Sequence, residues 1–180
     1  MQVRLDKRAR IIADGGQAYP VDLLRDHTLV QVRQKYTDDT GELTLAPGEE
    51  TTDEVTVGGR VVFVRNTGKL CFASLQDGFT ETSNGERLQI MLSKAEVGDE
   101  SLAAWKSDVD LGDHVWVRGR VVVSRRGELS IMAAEWRMAS KALRPLPTLH
   151  KELSEETRVR RRYADLVVRE ESRQMVRTRA

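Results

Sequence analysis

From Val55 to Ser140 the sequence predicts a mainly β domain with flanking helices, an α+β chain whose five strands close into a small barrel. Three observations predict it. Apolar and polar residues alternate with a period of two in five separate runs, and a strand points successive side chains to opposite faces. Two connections are short and closed by glycine, Asn66-Thr67-Gly68 and Arg125-Arg126-Gly127, as hairpins require. A third connection, residues 94 to 108, carries Leu102, Ala103 and Trp105 at positions that favour a short helix, with Gly98 interrupting it.

The elements follow in order along the chain. Val3, Leu5, Ile11 and Ile12, with Arg8 between them, predict a basic amphipathic helix over 3–13, ended by Asp14-Gly15-Gly16, where glycine can take a left-handed cap. Thr28 can cap a second helix running to about Tyr36, with Leu29 and Val32 as its apolar positions. Residues 37–54 hold seven acidic residues and no basic one, which predicts a loop or linker. Strands are expected over 55–65, 69–77, 86–92, 113–124 and 128–140. Five antiparallel strands with a helix between the third and fourth is the order of an OB-fold, a Greek-key barrel whose strand 2 and 3 face commonly receives oligonucleotides. Beyond it, Leu143 to Pro147 form a proline-stiffened linker, and Ser154 with Glu155 and Glu156 opens a helical segment. That segment carries eight arginines, no lysine and five acids, and it reaches Ala180 without a cap, so it is expected to continue in a longer protein. The expected organisation is therefore 1–54 as helices and acidic loop, 55–140 as barrel, 141–153 as linker, and 154–180 as the helical start of a further domain.

Composition narrows the function. Lys and Arg total 29 against 28 Asp and Glu, so the net charge of +1 offers no whole-protein attraction to an anion, and any such attraction must be local. The single cysteine, Cys71, excludes an internal disulfide and suits packing in a reducing cytosol. The three histidines, His27, His114 and His150, have no Cys or His at ligand spacing, which argues against zinc. No run approaches the roughly 20 apolar residues of a membrane span, and neither a nucleophile and base pair nor a phosphate loop is visible.

One strand residue is out of keeping with a core. In GKLCFASLQDG, Cys71, Ala73 and Leu75 face one side, which leaves Phe72 on the other with Ser74 and Gln76. On the third strand Leu88, Ile90 and Leu92 face inward, and Arg87, Gln89 and Met91 outward, so Phe72 and Gln89 can share a face. Arg65 ends the first strand, and Glu135, with Ala133 and Arg137 on its side, breaks the apolar run of the fifth. An exposed ring gives an unpaired base a surface worth about 1 to 3 kcal/mol, and an amide supplies the donor and acceptor that select among bases. Arg125, Arg126 and Lys69 could hold phosphates. The same residues are open to two other readings, a general single-stranded nucleic-acid module and a protein-interaction or dimerisation module that buries Phe72.

A resemblance favours the first direction. The segments GRVVFVRNTGKLCFASLQD, LQIML, DLGDHVWVRGRVVVSRRGELSI, EWRMASKALRPLP and RVRRRYADLVVREESR make the chain similar to the N-terminal, anticodon-binding region of bacterial class II lysyl-tRNA synthetases. The LRPLP linker followed by R-x-R-x-R-Y-x-D-L is the most specific part. The resemblance implies that Phe72 stacks on the central uracil of the tRNA(Lys) anticodon, that Gln89 meets its pairing edge, and that Arg65 and Glu135 read anticodon bases. It further implies a cytoplasmic, homodimeric full-length enzyme that ligates lysine to tRNA with ATP and Mg2+. No catalytic residue can be named within these 180 positions, and this piece is expected to bind tRNA weakly and catalyse nothing. GFTETSNGE after Asp77 and the acidic stretch before Val55 depart from the family pattern, so loop contacts do not carry over.

Overall fold

The computed structural model describes residues 1–78, 87–147 and 153–179. Helix α1 (Gln2–Ala13) and helix α2 (Leu29–Lys35) precede strand β1 (Glu50–Thr67), and β2 (Leu70–Gln76) and β3 (Arg87–Ser93) follow. Two short helices, α3 (Lys94–Val97) and α4 (Asp99–Asp108), lead to β4 (His114–Val123) and β5 (Leu129–Ser140), and α5 (Glu155–Arg160), α6 (Arg162–Val168) and α7 (Glu170–Arg179) end the chain. Glu86, expected to open the third strand, lies outside the described residues, as do part of the linker and Ala180.

The strands close in the order β1-β2-β3-β5-β4. An all-antiparallel set was expected, and one contact departs from it: β3 and β5 pair in parallel, with Gln89 opposite Ser130 and Met91 opposite Met132. Parity demands this. Neighbours in a ring of five cannot all alternate in direction, so one contact must be parallel.

The inward side chains include Val57, Val61, Cys71, Ala73, Leu75, Leu88, Ile90, Leu92, Val117 and Ile131, all at or near zero exposure. Burial pushes the Cys71 thiol up, keeping it protonated and packed. Helix α4 stops one end of the barrel: Trp105 is buried against Trp136, ring edge to ring face, with centroids 5.1 Å apart. Gly98 separates α3 from α4 where the sequence placed its interruption.

Helix α2 has the expected cap as a reciprocal box: Thr28 Oγ1 accepts from the Gln31 amide, and the Gln31 side chain accepts from the Thr28 amide. The basic residues of α1 are used inside the molecule. Arg4 donates to the carbonyls of Ala142 and Leu111, Lys7 pairs with Asp110 at 2.7 Å, and Arg10 pairs with Asp108. Beside them Lys141 is fully buried, its Nζ 2.6 Å from both Asp110 and Asp113. A lone buried ammonium would be costly, and two carboxylates offset it.

The acidic stretch is only partly a loop. Strand β1 begins at Glu50, five residues earlier than the alternation suggested, because β4 supplies arginines opposite the acids. Glu50 meets Arg120 at 3.0 Å and Glu54 lies 3.8 Å from Arg118. At the C-terminus the single expected helix is three. Arg161 and Arg169 leave helical geometry, and buried Asp165 gathers Arg162 at 3.1 Å and the Ser172 hydroxyl at 2.6 Å.

Candidate nucleic-acid interface

A bulge creates the groove. Along β1, Val55, Val57, Gly59 and Val61 point inward, and unbroken alternation would send Phe63 and Arg65 inward as well. Instead the pairing with β2 slips between Val61 and Phe63, Val62 is the extra residue, and both valines are buried. Phe63 and Arg65 therefore emerge on the outer surface. Two rows cross the sheet there: Phe63, Ser74, Gln89 and Ser130 in one, and Arg65, Phe72, Met91 and Met132 in the next.

Phe63, Ser74 and Gln89 of the first row and Arg65, Phe72 and Met91 of the second floor an open groove of about 830 Å³, walled on its far side by Ser124, Arg125, Arg126 and Glu128 of the β4–β5 hairpin. Gly127 takes φ +82° in that hairpin, a turn geometry that side chains resist. Phe72 is half-buried, and the Arg65 guanidinium lies over its ring, 4.8 Å from the ring centroid. Arg65, Arg87, Arg125 and Arg126 line the groove, with Glu128 its single acid among the described residues, so this described surface is locally basic on a chain of net charge +1.

Gln89 is oriented by its neighbours. Ser130 Oγ donates its one proton to the Glu128 carbonyl at 2.9 Å, so it can only accept from Gln89, whose Nε2 lies 2.8 Å away. The amide nitrogen is thereby turned to Ser130. Among the described residues the Gln89 oxygen and the second Nε2 hydrogen remain for a ligand.

Similarity to known proteins bears on this geometry. Residues 55–139 match the tRNA anticodon family described as an OB-fold nucleic acid binding domain. Over all 180 residues the chain is 59% identical to a lysine–tRNA ligase of Kineococcus radiotolerans, and over 178 residues 56% identical to one of Mycolicibacterium gilvum. It covers 100% and 99% of itself in these matches but 34% and 33% of the ligases, so it spans about a third of the relatives it resembles. A lysylphosphatidylglycerol biosynthesis bifunctional protein of Rhodococcus jostii is 37% identical, with 14% of its length covered. The chain thus contains an anticodon-binding OB domain homologous to the N-terminal region of lysyl-tRNA synthetases.

Within the OB domain, Phe72, Gln89, Arg65, Arg125 and Arg126 come together at the groove. Two other residues singled out from the sequence stand apart from its lining. Lys69 is exposed on the β1–β2 turn. Glu135 is held 2.9 Å from both Arg118 and Arg137, on the sheet face toward β4. The expectation that Ala133 shares its side is also corrected: Ala133 is fully buried, and Ala134 is the extra residue of a second bulge between the Gly119–Ala133 and Arg118–Glu135 pairs. Gly119 permits that bulge, since a Cβ there would lie 2.0 Å from the Met132 carbonyl oxygen.

Sequence reasoning passed over two groove residues. Glu128 follows directly after the hairpin glycine, where an exposed acid borders the binding face. Phe63 follows the apolar doublet Val61-Val62, itself the mark of a bulge in a strand of period two. Among the described residues no group of three or more His, Cys, Asp or Glu could hold a metal ion, and no helix is long and apolar enough to cross a membrane.

Proposed function

We propose that the groove reads the anticodon loop of tRNA(Lys) and that the longer protein is a cytoplasmic, homodimeric lysine–tRNA ligase using ATP and Mg2+. The observation that supports this best is the oriented amide of Gln89 beside the ring of Phe72. An unpaired uracil on Phe72 would turn its pairing edge to Gln89. Its N3–H would donate to the Gln89 oxygen, and one of its carbonyls would accept the remaining Nε2 hydrogen. Cytosine has no N3 hydrogen, so two acceptors would face each other, and an unmatched buried group costs about 1 to 3 kcal/mol.

Other groove residues take supporting roles. Arg65, now over the ring, would sandwich the base or swing to a phosphate. Glu128 would accept from a neighbouring base, the part first assigned to Glu135, whose carboxylate is already engaged by two arginines. Arg125 and Arg126 would hold phosphates across the groove, with Lys69 at the neighbouring turn. The 180 residues supply RNA binding alone in this scheme, and lysine activation belongs to the rest of the ligase.

Titration with tRNA(Lys) anticodon stem-loops tests the reading. Changing the central U to C should weaken binding about tenfold or more, and Gln89→Ala should abolish the preference. Phe72→Ala should weaken binding about 5- to 150-fold with unchanged oligomeric state. Equal affinity for the U and C loops would favour a general single-strand binder. A changed oligomeric state with unchanged RNA affinity would favour a protein-interaction module.

A further inference from the structure

Phe63 is 54% exposed, on a chain with three phenylalanines in all. Single exposed apolar residues are ordinary on protein surfaces, but this ring lines the same groove as Phe72 and Gln89. The slip at Val62 brought it there, with the valine filling the inner place instead. Register sets its distance from the first ring. Phe63 stands opposite Ser74, and Phe72 opposite Arg65, so the two rings are diagonal neighbours on adjacent strands. Such neighbours are about 7 to 8 Å apart. Stacked nucleotides advance about 3.4 Å per step along one strand. Side chains rooted at roughly twice that spacing suit consecutive nucleotides whose bases are splayed, the form in which single-stranded RNA is read.

We infer that Phe63 is a second stacking platform, taking the base adjacent to the one on Phe72, so that the groove selects two consecutive unpaired nucleotides. The inference rests on the assignment of this groove to RNA. The Ser74 hydroxyl, directly across from Phe63 and also lining the groove, supplies a donor and acceptor for that second base's edge.

The test is a titration of the 180-residue chain with tRNA(Lys) anticodon stem-loops in which loop nucleotides are replaced, one at a time, by abasic sugars. In the unmodified chain, two adjacent replacements should each weaken binding about 5- to 150-fold. Phe63→Leu keeps an apolar side chain and removes the flat ring. It should weaken binding of the intact loop about fivefold or more. It should also make the chain indifferent to the abasic sugar next to the central position while leaving it sensitive to the one at the centre. If Phe63→Leu binds the intact loop as the unmodified chain does while Phe72→Leu is weakened, the second platform is overturned and the anticodon reading stands. If neither ring matters, that reading falls too. A Phe63→Leu chain altered only in oligomeric state or thermal midpoint would make the ring a protein contact and likewise overturn the inference.

Discussion

The barrel has two outer faces built from similar residues and used in opposite ways. Toward β4 and β5, Arg118 meets Glu135 and Glu54, Arg137 meets Glu135, and Arg120 bridges Glu50 and Glu96. The Arg120 hydrogen bonds hold the Glu96 carboxyl below its usual range. On the groove face Arg65 lies on a ring, and Arg125 and Arg126 have no carboxylate at ion-pair distance among the described residues. An arginine already paired must give up its partner before it can hold a phosphate, whereas one without a carboxylate releases only counterions from the nucleic acid. A near-neutral chain can therefore bind an anion on one face, and what decides which face is the placement of acids rather than the number of bases.

The largest test of this contrast removes the geometry behind it. Gly119→Ala would drive a methyl group into the Met132 carbonyl oxygen at 2.0 Å and the Ala133 Cα at 2.8 Å, on neighbouring backbone that cannot step aside. Chemical denaturation should show a loss of about 3 kcal/mol or more; a variant of normal stability would mean that the bulge turning Glu135 outward does not depend on this glycine.

A second, intermediate effect compares the two glutamates. Glu128→Gln should shift RNA affinity or base preference about three- to tenfold, the scale of one hydrogen bond. Glu135→Gln should leave RNA binding unchanged and cost about 0 to 1 kcal/mol of stability, as for an exposed ion pair. The opposite pattern in the same titrations would return the reading role to Glu135 and erase the distinction between the faces.

The smallest effect is the sharpest. Arg125→Ser or Arg126→Ser should each lower the slope of log affinity against log salt by about 1, and Arg118→Ser should not change it. Equal slopes for all three variants would show that the ion pairs do not withhold Arg118 from RNA.

Much of this was legible in the residues themselves. Apart from the start of β1, the period-two runs located the strands to within two positions, Thr28 marked its helix, and Gly98 its interruption, because those signals act over three or four neighbouring residues. Phe72 and Gln89 could be placed on one outer face for the same reason, as neither β2 nor β3 carries a bulge. The start of β1 was not legible, since Glu50 and Glu54 join the sheet through arginines some 60 to 70 positions away. Nor were the three C-terminal helices, which turn around the burial of Asp165.

Local pattern alone thus determined that five strands form, that they enclose Cys71, Ala73, Leu75 and their neighbours, and that a phenylalanine and a glutamine look outward. Only the folded barrel decided that Phe63 joins them and that Glu128 faces the groove while Glu135 is neutralised elsewhere. The physical reason lies in the bulges at Val62 and Ala134. A single extra residue reverses the side of every residue that follows, and whether a strand takes one depends on the partner it must match across the sheet.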